Sequence, residues 1–201
     1  MHDAINPHQK QVYLAKLTRW QRVLDALETP DVGFIINPFR QDYDGKRIMQ
    51  VSVYRRSRVA RMLADHQAFF GQWGFVPTSE PELIINTIEF ENQADRWRGY
   101  GYLFGYPRHA VDFFVEAGIS QTKTKQVVKR DFFQIPVGSG KVGHFTYALP
   151  KGTKPNETDS TLYRQANETL TQYRQVRSRY VRPDSSLRAL ALWQFVQKQK
   201  K

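Results

Sequence analysis

The apolar residues of this chain change period early, and that change limits the folds open to it. Tyr13, Leu17, Trp20, Leu24 and Leu27 recur at spacings of 4, 3, 4 and 3, which gathers them on one face of a helix. A helix is expected over residues 7–28, with Lys16, Arg19 and Arg22 off the stripe. Thr29-Pro30 stops it, because proline disfavours helical geometry at the residue before it. Residues 32–39 then read as a buried strand ended by Asn37-Pro38, and residues 46–54, with Ile48, Val51 and Val53, as a second strand. Gln41-Asp42-Tyr43-Asp44-Gly45 supplies the turn chemistry of a hairpin between them. A helix followed at once by a hairpin implies an α+β fold, a small and mainly antiparallel sheet with packed helices. The longest apolar runs, such as Gly33-Phe34-Ile35-Ile36, fall far short of the about 18 residues that span a bilayer. The polar start Met1-His2-Asp3-Ala4 shows no secretory leader, so a cytoplasmic protein is expected.

Helical signals dominate the next stretch. Ser57 suits the N-cap of a helix reaching Gly71 or Gly74, with Val59, Met62, Leu63, His66, Phe69, Phe70 and Trp73 as its stripe. On that stripe His66 reads as a packed core histidine. Ser79 suits the cap of a further helix, with Pro81 in its first turn and Glu82 at the third position. That helix would bury Leu83, Ile84, Ile88 and Phe90, although its β-branched Ile-Ile-Asn-Thr-Ile core lets a strand compete. Residues 98–104 read as a short strand, Gly105-Tyr106-Pro107 as a turn, and residues 107–117 as a helix closed by Gly118. Ala110, Val111, Phe113, Phe114 and Ala117 form the core face of that helix.

The run Tyr102-Leu103-Phe104-Gly105-Tyr106-Pro107, followed by Val111, Phe114 and Gly118, resembles the Phe-Leu-Gly-Tyr-Pro signature that starts a helix in an uncharacterised bacterial protein family. Val53-Tyr54-Arg55 and the helix to Trp73 are similar to the strand end and helix that precede the motif there. The likeness covers roughly residues 30–120, and the family's cysteine-containing segments have no counterpart in this chain. It implies an α+β domain and, because the family's activity is undefined, no chemistry.

Charge divides the chain more sharply than hydropathy does. It carries 30 Lys+Arg and 19 Asp+Glu, a net charge of +11. Residues 1–122 balance to zero, whereas residues 123–201 hold 16 basic and 5 acidic side chains. This suggests a neutral α+β domain over 1–122, then a basic hairpin and two C-terminal helices over 123–201, either separate or part of the same fold. The hairpin strands are expected at 127–137 and 142–149, joined by Gly138-Ser139-Gly140-Lys141. That tetrapeptide is not a phosphate-binding P-loop. Ile135 stands where the first glycine belongs, and Val142 and a strand follow the lysine. Thr158 or Asp159 would cap a helix to about residue 182, with Leu162, Ala166, Leu170, Tyr173, Val176 and Tyr180 as its stripe. Arg182-Pro183-Asp184 interrupts. Ser185 or Ser186 starts a last helix carrying Leu187, Leu190, Ala191, Leu192, Phe195 and Val196, with Trp193 packed or at an interface and residues 197–201 fraying.

Zero cysteines exclude a disulfide framework, a thiolate zinc site and a thiol nucleophile, and no cofactor motif is present. His109, Asp112 and Glu116 are spaced 3 and 4 apart and share one helix face. An imidazole and two carboxylates so placed suit a divalent metal or acid–base work, though amphipathicity alone also predicts them. Lys123, Lys125, Lys129, Arg130, Arg174, Arg177, Arg179, Arg182 and Arg188 make a surface suited to phosphates. Tyr100, Tyr102 and Tyr106, alternating with glycine, are candidates for base stacking. The excess of 11 charges exceeds the net charge of about 2–8 that keeps a small domain in solution. The leading expectation is therefore a non-enzymatic nucleic-acid-binding protein, its partner RNA or a ribonucleoprotein. Two others remain open. One is an adaptor docking on an acidic protein or an anionic membrane surface through Arg188, Leu190, Trp193 and Phe195. The other is an enzyme centred on His109, Asp112 and Glu116.

Overall fold

Asp44 and Gly45 both adopt left-handed backbone, with φ of 49° and 68°, so the first hairpin closes on a two-residue turn whose twist matches its strands. The computed structural model describes residues 2–5, 9–138 and 144–198. Ser139, Gly140 and Lys141 of the glycine turn, Val142, and residues 199–201 of the tail lie outside the described residues. The fold is α+β. It divides into two compact units, Met1–Val115 and Glu116–Lys201.

In the first unit β1 (His2–Ile5), β2 (Val32–Tyr43) and β3 (Lys46–Arg55) form an antiparallel sheet in the order β1-β3-β2. Strand β2 runs through Asn37-Pro38 instead of ending there. It lies at the sheet edge, where a residue lacking an N–H is tolerated, and the register shifts between Pro38 and Asp42. Helix α1 (Lys10–Asp25) turns Tyr13, Leu17, Trp20 and Leu24 away from solvent while Val12, Leu14 and Val23 stay exposed.

Helix α2 (Arg56–Asp65) is not capped by Ser57. Asp31, at the entry to β2, accepts the Ser57 amide at 2.9 Å and holds Arg55 at 2.7 Å. The chain breaks at His66, continues as the short α3 (Gln67–Phe70) and a 3-10 turn to Trp73, and stops at Gly74. In α4 (Pro81–Phe90) the helix prevails over the strand. Pro81 fits its first turn, and Ile84, Ile85 and Ile88 bury one helical face while Leu83 and Phe90 remain exposed. Ser79 does not cap it; its hydroxyl accepts the Val76 amide at 2.9 Å and closes the preceding turn.

The expected strand at 98–104 is helix α5 (Gln93–Leu103). Asn92 caps it, accepting the Ala94 and Asp95 amides at 3.1 Å each. Gly99 and Gly101 are notches for neighbouring helices: a Cβ would lie 2.7 Å from Ile88 at the first and 2.7 Å from Val111 at the second. The alternation of glycine with tyrosine therefore reflects close helix packing, not strand pleat. Helix α6 (Arg108–Thr124) passes through Gly118 and ends where Lys125 turns left-handed, with φ of 59°. Leu63, Phe70, Ile84, Ile88, Tyr102 and Val115 lie at the centre of this unit's core.

The second unit holds β4 (Arg130–Pro136) and β5 (His144–Pro150), an antiparallel pair, with α7 (Glu157–Arg177) and α8 (Ala189–Lys198). Asn156, rather than Thr158 or Asp159, is the N-cap of α7. Asp159 completes a capping box by accepting the Asn156 amide at 2.8 Å, and it also accepts the Tyr147 hydroxyl at 2.5 Å. The stripe Leu162, Ala166, Leu170, Tyr173 and Val176 is turned from solvent, and α7 packs along β4. Helix α7 stops at Arg177, short of residue 182, in a 3-10 turn over Ser178–Tyr180. A clasp follows in which Val181 bridges Leu187 and the Arg188 amide donates to Tyr180 O at 2.8 Å. Ser185 and Ser186 belong to this clasp, the Ser186 amide donating to Asp184 at 2.9 Å, so α8 starts later than expected.

Candidate nucleic-acid interface

All nine basic candidates fall in the second unit. Lys123 lies in the last turn of α6, Lys125 just past it, and Lys129 just before β4, all three exposed. Arg130 is half-buried and its Nε donates to Val128 O at 3.1 Å. Arg174 and Arg177 occupy the last turn of α7, where the helix dipole favours positive charge. Arg179 is in the 3-10 turn, and the clasp places Arg188 beside Tyr180, the next residue along. Arg182 donates to the Ser186 hydroxyl at 3.1 Å.

Carboxylate pairing separates the two units. In the first, six of eleven arginines pair with a carboxylate: Arg47 with Asp42, Arg55 with Asp31, Arg56 with Glu28, Arg61 with Asp65, and both Arg98 and Arg108 with Asp112. In the second, none of the seven arginines sits within ion-pair distance of a described carboxylate of that unit. The shortage is one of supply. The unit has 16 basic and 6 acidic residues, and three of the six carboxylates already have structural partners. Asp131 holds Lys151 at 2.5 Å and the Gly152 amide at 2.8 Å, which lowers its pKa. Asp159 is buried on Tyr147, and Asp184 closes the clasp.

The tyrosines are placed differently from the expectation. Tyr102 is 5% exposed and stacks on His66 with ring centroids 3.8 Å apart. Tyr100 donates its hydroxyl to the buried Glu89, and burial followed by that hydrogen bond raises its pKa well above the usual phenol range. Tyr106 is half-buried against the first unit's core, and burial raises its pKa too. Tyr102 also meets Phe69 and Phe70, so it has no open face for a base. Among the described residues of the second unit Phe132, on β4, is the most exposed aromatic ring at 63%, with Tyr163 at 41%; in the first unit Tyr43, Phe90, Phe104 and Phe114 are exposed as well. The signal for Phe132 was the period-2 alternation of Arg130-Asp131-Phe132-Phe133-Gln134-Ile135.

His109, Asp112 and Glu116 do share α6, but Asp112 is held by Arg98 and Arg108, and Glu116 is exposed. Among the described residues no three His, Asp or Glu side chains converge in a way that could hold a metal ion. His66 is half-buried on Tyr102, and burial lowers its pKa. Among the described residues no helix is long and apolar enough to cross a membrane. No family model, curated protein or solved structure matches the chain.

Proposed function

We propose that the protein is a non-enzymatic nucleic-acid-binding protein that engages RNA, alone or in a ribonucleoprotein, through the arginine-rich surface of its second unit. One observation carries this reading: among the described residues the seven arginines of that unit have no carboxylate partner within it, while six of the eleven arginines of the first unit have one. Phosphates supply the missing negative charge, and each one neutralised releases condensed counterion. The test is a titration of labelled single-stranded RNA at several salt concentrations. Affinity falling linearly on a log–log plot, with a slope set by several phosphates, supports the reading. Salt-independent binding, or none to mixed RNA and DNA, overturns it. The absorbance ratio at 260 and 280 nm of the purified protein, before and after a high-salt wash, is an independent check.

A second reading rests on α8, where Leu190 is 58% exposed two residues after the exposed Arg188. An apolar residue beside a cation suits docking on an acidic protein or an anionic membrane surface. Binding to anionic vesicles or an acidic polypeptide, but not to RNA, would favour it.

A further inference from the structure

The β4–β5 hairpin has two unlike faces, and the pairing register assigns each residue to one of them. Phe133 lies opposite Tyr147 and Ile135 opposite Phe145. Phe133 also meets Tyr163 of α7 edge-on at 6.4 Å, so the odd-numbered residues of β4 face the helix. Successive side chains alternate across a strand, so Arg130, Phe132 and Gln134 line the other face, with Thr146 opposite Gln134 and Ala148 opposite Phe132. Exposure agrees: Phe132 and Gln134 are exposed where Phe133 is half-buried and Ile135 buried. Exposed Lys129 precedes this face and exposed His144 borders it at the start of β5. Ala148, opposite Phe132 on the paired strand, is itself buried at 5% exposure, so the open surface at this point is the Phe132 ring and not the strand floor beside it.

A lone exposed phenylalanine on a strand needs no explanation. One set between cations and amide groups, in a unit with too few carboxylates to pair its arginines, has a specific use. We infer that this outer hairpin face is a stacking platform for a single-stranded nucleic acid, with a base on Phe132 and the flanking phosphates held by Lys129 and Arg130. Gln134 adds an amide that both donates and accepts, within reach of a base edge. The occupant is single-stranded because bases in a duplex are already stacked, and the ring reaches one only at the cost of opening the helix. Charge complementarity selects nucleic acid over an apolar peptide, and the ring selects it over a featureless polyanion. The inference rests on the proposed nucleic-acid function and locates the bases; the arginines of α7 and the clasp supply backbone contacts.

The test measures the full chain by fluorescence anisotropy against labelled oligouridylate, the same length of duplex RNA, and polyglutamate as a competitor. Phe132→Ala is expected to weaken oligouridylate binding on the order of tenfold with the salt slope unchanged, because stacking releases no counterion. Phe132→Trp is expected to retain affinity and to show added tryptophan quenching on binding. Lys129→Ala with Arg130→Ala lowers the slope. Unchanged thermal melting of Phe132→Ala, as its exposure implies, removes misfolding as a cause of weaker binding. If the wild type binds oligouridylate with a steep salt slope and Phe132→Ala binds equally well, the platform is overturned while the nucleic-acid reading stands. Polyglutamate competing as well as oligouridylate, or duplex binding as tightly with equal loss in Phe132→Ala, overturns it as well. No salt-sensitive binding by the wild type overturns both.

Discussion

Removing exposed arginines that pair with no carboxylate among the described residues of the second unit gives the most direct measure of how that unit uses its charge. Arg174, Arg179 and Arg188 suit this purpose. All three are exposed, and none has an ion-pair partner among the described residues of the unit. Arg182 is left in place because its side chain holds Ser186 in the clasp. Changing the three to alanine is expected to leave stability within about 0.5 kcal/mol, the usual range for exposed positions away from caps and networks. If each contacts one phosphate of a single strand, the slope of log affinity against log salt falls by about 0.7 per contact, hence by about 2 for the three. Between 50 and 200 mM salt the variant's affinity should then drop about twentyfold less than the wild type's. Anisotropy titrations at four or five salt concentrations read this slope directly. A variant that weakens by the same factor at every salt concentration would have lost something other than phosphate contacts. A slope unchanged within error would show that these arginines do not meet phosphate at all, and the argument from unpaired charge would fail.

Four further outcomes follow from the first unit. Asp31→Ala should cost about 1 kcal/mol in urea denaturation, the usual worth of a helix-start acceptor. Hydrogen bonds from the Ser57 hydroxyl and amide, then Arg55, hold the Asp31 carboxyl at about 2. A depressed folded-state pKa stabilises above the unfolded value near 3.8, and that stability is lost as pH falls toward about 2; Asp31→Asn should flatten the acid limb there. Glu89→Leu leaves the Arg40 amide and the Tyr100 hydroxyl without their acceptor and should cost about 2 kcal/mol, against about 1 for Tyr100→Phe. Gly101→Ala drives a Cβ to 2.7 Å from Val111. It should destabilise by about 1–3 kcal/mol before any gain in helix propensity, with Val111→Ala offsetting part of the loss in a double-mutant cycle. Addition of divalent zinc or manganese should leave the melting temperature unchanged, since Asp112 is engaged by two arginines; a rise abolished by His109→Ala would reverse that conclusion.

The parts of the fold visible in the sequence are those whose cause is local. The stripe from Tyr13 to Leu24 and that from Leu162 to Val176 are read from spacing because a helix face is set by its own residues. Leu27, by contrast, falls in the turn after α1 ends at Asp25. Asp44-Gly45 announces its turn because left-handed backbone is needed at both positions. What escaped depends on distant partners. Asp31 caps a helix across the whole β2–β3 hairpin, so Ser57 looked like the cap. Gly99 and Gly101 mean strand or notch depending on whether Ile88 and Val111 stand opposite. Pro38 looks like a strand terminator until β2 is known to be an edge. The candidate site divides in the same way. Its excess charge is a property of composition, but whether a given arginine is paired, or a given ring covered, is decided only by folding. Tyr102 and Phe132 show the contrast, one stacked on His66 and the other exposed.

The choice of cation narrows the argument further. From residue 155 to residue 197 every basic side chain is an arginine, at 164, 174, 177, 179, 182 and 188, and none is a lysine. Solubility does not distinguish the two, and neither does the helix dipole at the end of α7, which favours any cation. Helix propensity ranks them nearly equal. Pairing within the protein would favour arginine, but that requires carboxylates, and among the described residues of this unit the arginines pair with none. What remains is the difference between a planar fork of five donors and a compact ammonium. The fork matches two oxygens of one phosphate at once and can lie flat on a base, while its weaker hydration makes it easier to desolvate. An acidic peptide would also accept the fork, through carboxylates, so arginine alone does not decide between the two partners. Phe132 is what makes the proposed nucleic acid the partner to test first: it stands on the same strand face as Arg130, and a stacked base would use that ring where a carboxylate cannot.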